Sequence, residues 1–372
     1  MDSRASSGQL GGTEDLVMDY RYLGRSGLKV SALTMGTFTF GGRGDFGMVG
    51  AQDVADAARL VDTCLDRGVN LIDTANMYSL GLSEDIVGEV MKDRDPDVLI
   101  CSKARMRIGE GPNDEGLSRW HLIRECERSL KRLKRDHIDL YLMHEWDGQT
   151  PMEEVMAALD ILVKHGKVRY FGCSNWSGWQ VMKGLMASGA GGLEKFTAQQ
   201  IHYTLEARES EYELLPLSVD QGIGVMIWSP LVAGLLTGKH TREGFAKDSR
   251  QAQGWTEPPI RDWDRLWDIV DTLRDVAGDR SVAQVALAWL LQRPAVATLV
   301  VGGRTEAQFG ETLGACDLKL TDDEVAKLDA VSRPPLIYPY WHQNQFAKPR
   351  FSEADWALHD GQKVDGLEGY QG

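Results

Sequence analysis

Four side chains able to hold or move a proton stand at or just past the ends of consecutive short apolar runs. Asp73 and Tyr78 follow the run 69–73, Lys103 follows 98–102, and His144 follows 138–143. Taken singly, each has an ordinary structural reading: a helix cap, a loop aromatic, a solvated charge, a strand-end polar group. Together they suit hydride chemistry, because reducing a carbonyl needs a proton at oxygen as hydride reaches carbon. A phenol with an ordinary pKa of about 10 is a reluctant donor near neutrality, and an adjacent ammonium lowers that pKa. Lys103 is expected to supply this pull on Tyr78. Asp73 would keep Lys103 charged and oriented, and His144 would hydrogen-bond the substrate oxygen.

Such an assignment requires that the ends of successive strands converge, which a parallel barrel provides. The segments alternate as that fold demands. After two short runs around Gly24–Gly27, read as a β-hairpin ahead of the main fold and a plug for a barrel's bottom, strands are expected at 31–37, 69–73, 98–102, 138–143, 168–171, 197–201, 223–228 and 296–301. Helices are expected between them at 51–67, 83–91, 152–164, 176–188 and 211–219. The helix after the third strand carries Leu122, Cys126, Leu130 and Leu133 as one apolar stripe. A long polar loop at 229–262 precedes two helices, the second opened by a Ser281–Gln284 capping box. A helix at 306–315 and one opened by Thr321 with Glu324 follow. Eight βα alternations without a strong linker predict a (β/α)8 TIM barrel over 18–332, with an N-terminal hairpin and long loops on the C-terminal face. Residues 1–17, polar and rich in Gly and Ser, read as a disordered extension or tag. Residues 333–372 form a Pro- and aromatic-rich tail, read as a lid over the pocket or as an interface segment, which leaves a homo-oligomer open.

The 372 residues carry a formal charge of −14, from 55 acidic against 41 basic side chains, so the overall field repels nucleic acid and anionic membranes. No apolar run approaches the ~20 residues of a membrane span, and the N-terminus lacks signal-peptide order. The expected location is cytoplasmic. The five cysteines, Cys64, Cys101, Cys126, Cys173 and Cys316, are widely spaced and lack metal-ligand patterns, reading as free thiols with no metal site.

A rival reading rests on GRGDFG, where Gly42, Gly44 and Gly47 fit G-x-G-x-x-G and Asp73 ends the next strand, as in a Rossmann-type dehydrogenase. Against it, Met48, Val49 and Gly50 intervene before any helical pattern. The stretch Gly234 to Lys239 lacks a spacer of the P-loop pattern and ends in His240, and no Tyr has Lys four residues on.

The segments NLIDTANMY with SEDIVG, then CSK, SLKRL with IDLYLMH, and GCSN resemble aldo-keto reductase motifs in that family's order, within a similarity running from Tyr20 to about Ala330. The branch most similar contains potassium-channel β subunits and related bacterial reductases. The resemblance implies an NADP(H)-dependent oxidoreductase acting on an aldehyde, ketone or secondary alcohol, with Asp73, Tyr78, Lys103 and His144 as catalytic tetrad. It implies cofactor contacts at Gly36, Thr37 and Asp73, a nicotinamide site at Ser174, Asn175, Gln200 and Trp228, and a pyrophosphate loop using Ser229, Pro230, Leu231, Gly234, Leu236 and Lys239. An adenosine-phosphate segment follows at Gly302, Arg304, Gln308, Glu311 and Thr312, where Thr312 replaces the family's common Asn. Trp146, two residues past His144, is expected to line the substrate pocket with Tyr78 and His144. A nucleotide-sensing or channel-type β subunit is the alternative within the same resemblance.

Overall fold

A computed structural model describes residues 18–361 apart from Asp248; the segment 1–17 and the last residues of the tail lie outside the described residues. Two short strands, β1 (Tyr20–Tyr22) and β2 (Lys29–Ser31), pair antiparallel. Eight parallel strands then close into a barrel: β3 (Leu33–Gly36), β4 (Leu71–Asp73), β5 (Leu99–Ala104), β6 (Ile138–Met143), β7 (Val168–Ser174), β8 (Ala198–His202), β9 (Gly224–Trp228) and β10 (Val296–Val301), with β10 bonded to both β9 and β3. The barrel wall is crossed by α1 (Val54–Leu65), α2 (Leu82–Met91), α3 (Arg119–Leu133), α4 (Met152–Lys164), α5 (Gly178–Gly191), α6 (Leu214–Gln221), α7 (Trp263–Ala277) and α8 (Val282–Leu291). Then come α9 (Glu306–Leu313), α10 (Asp322–Ser332), α11 (Tyr340–Phe346) and α12 (Glu353–His359). The closed barrel overturns the Rossmann reading, which needs an open sheet. Gly42 in that glycine loop gives its backbone N–H to Ser79 Oγ at 2.8 Å.

Every residue of β6 and β10 is buried, as strands covered on both faces require. Along each strand the side chains alternate between the lumen and the helices. Leu71, Cys101, Leu140, Ala198, Met226 and Ala297 fill the lower lumen together with Leu23 and Val30 of the hairpin, so the hairpin does plug the barrel's bottom. Its turn fits because Gly24, at φ +60°, lies where a Cβ would come within 2.3 Å of the Gly222 carbonyl oxygen. The predicted stripe of α3 is buried in full.

The differences from expectation are local. β5 runs on to Ala104, placing Lys103 inside the strand, paired with Leu142, rather than beyond its end. α6 begins at Leu214, after a turn at Glu209–Glu211, and Pro216 sits in its first turn, where its missing N–H costs nothing. The Thr321–Glu324 capping box forms. The Ser281–Gln284 box forms by half: Ser281 caps α8, but Gln284 turns its amide to the Glu311 carbonyl at 2.8 Å. The described part of the tail lies on the outer wall, with α12 packed against α6 and the Tyr340 ring stacked 5.3 Å from that of Tyr212. Tyr212 also donates to the Pro335 carbonyl at 2.5 Å.

Candidate active site

The register of β4 and β5 places Asp73 opposite Cys101, so Asp73 and Lys103 point into the upper lumen one layer above the apolar plug. Lys103 is fully buried, and its ammonium donates to Asp73 Oδ2 at 2.6 Å, to the Thr74 carbonyl at 2.8 Å and to the Tyr78 hydroxyl at 3.3 Å. Gln200 Nε2 donates to the second Asp73 oxygen at 2.9 Å, so that carboxylate is held from two sides. The His144 ring meets the Tyr78 ring edge-on, 5.7 Å between centroids, and its Nδ1 is buried without a partner. The four residues singled out in the sequence therefore share one corner of the barrel mouth.

The electrostatics reverse one expectation. Burial, above all, pushes the Tyr78 phenol up to about 12, and the counter-pull of Lys103 does not overcome it. Although Tyr78 is only half-buried by exposed surface, Phe38, Phe46 and His144 crowd its ring. Burial alone would lower Lys103, but the Asp73 carboxylate and the phenol hold it above the ordinary lysine range. Burial first, and then Lys103, keep the His144 imidazole well below its usual value, hence neutral. The corner thus holds a neutral phenol, a neutral imidazole and a fixed ammonium.

A groove continues across the mouth. Ser174, at the end of β7, has a buried hydroxyl without a partner, and Asn175, at φ +60°, bridges from the His144 carbonyl at 3.2 Å to the Trp228 indole N–H at 2.9 Å. Trp228 stacks on His202 with centroids 4.5 Å apart. Thr37 is buried, its hydroxyl spent on the Asp73 carbonyl and Ser83, beside Gly36, which packs on Val300 and Val301. After β9 the loop with Ser229, Pro230, Leu231, Gly234, Leu236 and Lys239 is tightly turned, with positive φ at Ser229, Val232, Ala233 and Gly234. Gly302 leaves open space where a Cβ would stand, only the Gly36 carbonyl lying within 4 Å, at 3.9 Å. Orphaned Ser174 and this open backbone fit an extended ligand with an amide and phosphates. Gln308 accepts from the Arg304 N–H at 2.7 Å, and Glu311 accepts from the Ser281 hydroxyl at 2.7 Å. The Thr312 hydroxyl turns back onto the Gln308 and Phe309 carbonyls, so its side chain is committed to α9 rather than offered outward.

The sequence reading missed Arg250. Burial first, and then the Arg304 guanidinium, pull it down to about 10. It missed the aromatic wall as well. Phe38 meets Tyr78 edge-on at 5.1 Å, Phe46 lies 5.3 Å from Phe38, and Trp255 lies 6.1 Å from Phe38. The glycine loop and the loop after β9 carry these rings, and aromatics in rim loops are the signal that identifies them. The Trp146 indole stands edge-on to Trp176 at 4.9 Å and to Trp179 at 5.5 Å, in a ladder leading to Phe196.

A closed parallel barrel with a buried Asp–Lys pair against a tyrosine at its C-terminal mouth defines a class of oxidoreductase scaffold. The chain belongs to the aldo/keto reductase family, whose model matches residues 32–333; members typically use NAD(P)H. It is 36% identical over 343 residues to a probable voltage-gated potassium channel subunit beta of Oryza sativa subsp. japonica, covering 87% of this chain and 100% of that one. It is also 36% identical over 322 residues to the uncharacterized oxidoreductase YrpG of Bacillus subtilis, covering 84% and 94%. Versiconal hemiacetal acetate reductase of Aspergillus parasiticus is 31% identical over 344 residues, covering 87% and 99%. Among the described residues no helix is long and apolar enough to cross a membrane.

Proposed function

We propose that this protein is an NADP(H)-dependent carbonyl reductase, acting on an aldehyde or ketone and, in reverse, on a secondary alcohol. The observation that carries the reading is the Tyr78 hydroxyl, proton-loaded and 3.3 Å from an ammonium that Asp73 holds in place. NADPH, when bound, supplies the hydride. Ser174, Asn175 and Gln200 would hold its carboxamide, Trp228 its ring, the Ser229–Lys239 loop its pyrophosphate, and Arg304 with Arg250 its 2′-phosphate.

Tyr78 delivers its proton to the substrate oxygen, and neutral His144 hydrogen-bonds the same oxygen, fixing the carbonyl against the phenol. As the proton leaves, negative charge grows on Tyr78, and the Lys103 ammonium stabilises it at that moment. The pull of Lys103 thus acts on the developing phenolate, while burial keeps the resting phenol neutral. Phe38, Phe46 and Trp255 form an apolar wall that excludes water and favours a bulky substrate.

The test is cofactor consumption across a panel of aldehydes, ketones and secondary alcohols, in both directions, with NADPH against NADH. Turnover of carbonyls with NADPH preferred supports the reading. Tight cofactor binding without turnover of any carbonyl overturns it and favours a second one, a nucleotide-binding regulatory β subunit, for which the name of the rice relative is the motive.

A further inference from the structure

Two loops meet beside Tyr78, and one hydroxyl joins them. The first is the glycine loop, in which Gly41, Gly42 and Gly44 all have positive φ. The second is the turn that carries the tyrosine. Directly after Tyr78, Ser79 (φ 48°, ψ 37°) and Leu80 (φ 54°, ψ 43°) both stand in the left-handed region, and Gly81 follows at φ 88°. Only glycine enters that region freely; residues with side chains take it as single positions and seldom as two in succession. Such strain persists where the surroundings over-determine it, and it gathers at functional sites.

What holds this turn is Ser79. Its side chain is fully buried, and its hydroxyl donates to the Phe40 carbonyl and accepts from the Gly42 N–H, both at 2.8 Å. Those two backbone groups flank Gly41, and the close approach needs a glycine there: a Cβ on Gly41 would stand 2.9 Å from Ser79 Cβ. The Gly42 N–H that a dinucleotide loop would aim at a pyrophosphate is therefore spent on a side chain, and the glycine loop serves as a socket for the Tyr78 turn. In the chain this socket lies between two rings of the aromatic wall, Phe38 two residues before Phe40 and Phe46 four residues after Gly42. Both rings pack on that of Tyr78, at 5.1 and 6.2 Å between centroids.

We propose that Ser79 is a positioning residue for carbonyl reduction: by locking the glycine loop onto the Tyr78 turn, it sets the direction of the phenol and keeps Phe38 and Phe46 closed over it. The role deepens the reductase reading and rests on Tyr78 as its proton donor. Removing the hydroxyl leaves the Phe40 carbonyl and the Gly42 N–H without their partner, so the loops part. Lys103, Asp73 and Cys101, the titratable groups that face the phenol, and His144 beside its ring are carried by the barrel strands or their ends and keep their places. The phenol then loses part of its burial while its charged neighbours stay. Its pKa, pushed up to about 12 chiefly by burial, falls toward the ordinary value of about 10.

The test compares Ser79→Ala and Ser79→Gly with the wild type. Alanine keeps the strained turn without the hydroxyl, whereas glycine removes hydroxyl and strain together. Both variants are expected to lose carbonyl turnover about tenfold or more, as a misdirected donor does, with NADPH affinity within about twofold of the wild type. In both, the phenolate absorbance, read against the same variant carrying Tyr78→Phe, should begin about one pH unit or more below the wild-type onset. Gly41→Ala, which forces the loops apart with Ser79 intact, should give the same two changes. Unchanged turnover and onset in Ser79→Ala would overturn the lock. Wild-type behaviour in Ser79→Gly beside an impaired Ser79→Ala would also overturn it, by assigning the effect to backbone strain. Turnover lost with the phenolate onset unmoved would leave Ser79 a structural part of the turn and overturn its hold on the wall. The absorbance needs no turnover: if the wild type reduced no carbonyl, the reductase reading would fall, while an earlier onset in Ser79→Ala would still support the lock.

Discussion

Two buried charge clusters in this barrel are built alike and end differently. In the segment after β8, Arg208 is 3% exposed, and its guanidinium donates to both Glu211 oxygens, to Asp329 and to Ser332, all between 2.8 and 3.1 Å. Its plane lies 5.0 Å from the Trp289 ring, and Tyr203 and the Trp289 indole N–H complete the shells of Glu211 and Asp329. The second Asp329 oxygen goes to Arg293 and Arg333. Each charge is enclosed. The Asp73–Lys103 pair is as deeply buried, but its chain of partners stops at the Tyr78 hydroxyl, beside the orphan nitrogen of His144 and the orphan hydroxyl of Ser174. A closed cluster can only fix structure. One that ends on unsatisfied groups at a cavity mouth has capacity left for a ligand.

Breaking the closed cluster should give the largest effect. Arg208→Met leaves Glu211 and Asp329 buried without their cation, and is expected to lose about 3–5 kcal/mol in urea unfolding. Turnover per folded molecule should be unchanged. A loss below about 1 kcal/mol would place this network among the weak surface-type pairs.

The open cluster should respond in the opposite sense. Tyr78→Phe keeps the ring against Phe38 and His144, so stability should stay within about 1 kcal/mol, while carbonyl turnover falls at least ~100-fold, the low end for a lost general acid. The same variant tests the charge state. Because burial raises the phenol to about 12, Tyr78 keeps its proton where an ordinary tyrosine, near 10, loses it. The wild-type minus Tyr78→Phe absorbance difference should show no phenolate before about pH 11, and reduction should show no Tyr78 ionisation between about pH 6 and 9. A phenolate appearing near neutrality would mean that Lys103 wins over burial after all.

That reversal marks where the sequence stops being informative. Strand ends were legible because apolar runs and turn residues alternate with the period of the fold, and 138–143, 152–164 and 296–301 match β6, α4 and β10 residue for residue. Asp73, Lys103 and His144 could be placed at one rim on that basis, since register follows from the pattern. The sign of the Tyr78 shift was not legible, because it depends on how tightly Phe38 and Phe46 close over the ring, and loop conformation does not follow from periodicity. The orientation of the Trp146 ring was not legible for the same reason. Lying two residues from His144 fixes its neighbourhood along the chain, but its indole turns toward Trp176 and Trp179 on the adjoining unit. Arg250 was hidden in a polar loop of no evident period.

Arg250 and Arg304, both proposed above to take a 2′-phosphate, should give a smaller effect, visible only as a ratio. Each guanidinium facing a 2′-phosphate adds a charge-assisted contact that NADH cannot use, so Arg304→Ala and Arg250→Ala should each cut the NADPH over NADH preference about tenfold. Equal losses for both cofactors in titrations would move these arginines away from the phosphate.

The smallest effect concerns Phe46, beside the Tyr78 ring, and Trp146, two residues past His144 in the chain. Phe46 lies 5.3 Å from Phe38 and 6.2 Å from Tyr78, so it faces whatever the phenol protonates, whereas Trp146 is engaged in its ladder. Phe46→Ala removes apolar surface that a bulky substrate would cover, and losing part of the ~1.5–3 kcal/mol of a buried aromatic-sized contact corresponds to several-fold in affinity. The Michaelis constant for an aryl ketone should therefore rise about five- to tenfold in Phe46→Ala, with that for a small aldehyde nearly unchanged. Trp146→Phe keeps a ring in the ladder and should move neither constant. If Trp146→Phe raised the aryl ketone constant while Phe46→Ala did not, the substrate would lie on the β7 side of His144, and the wall formed by Phe38, Phe46 and Trp255 would be only a cover for Tyr78.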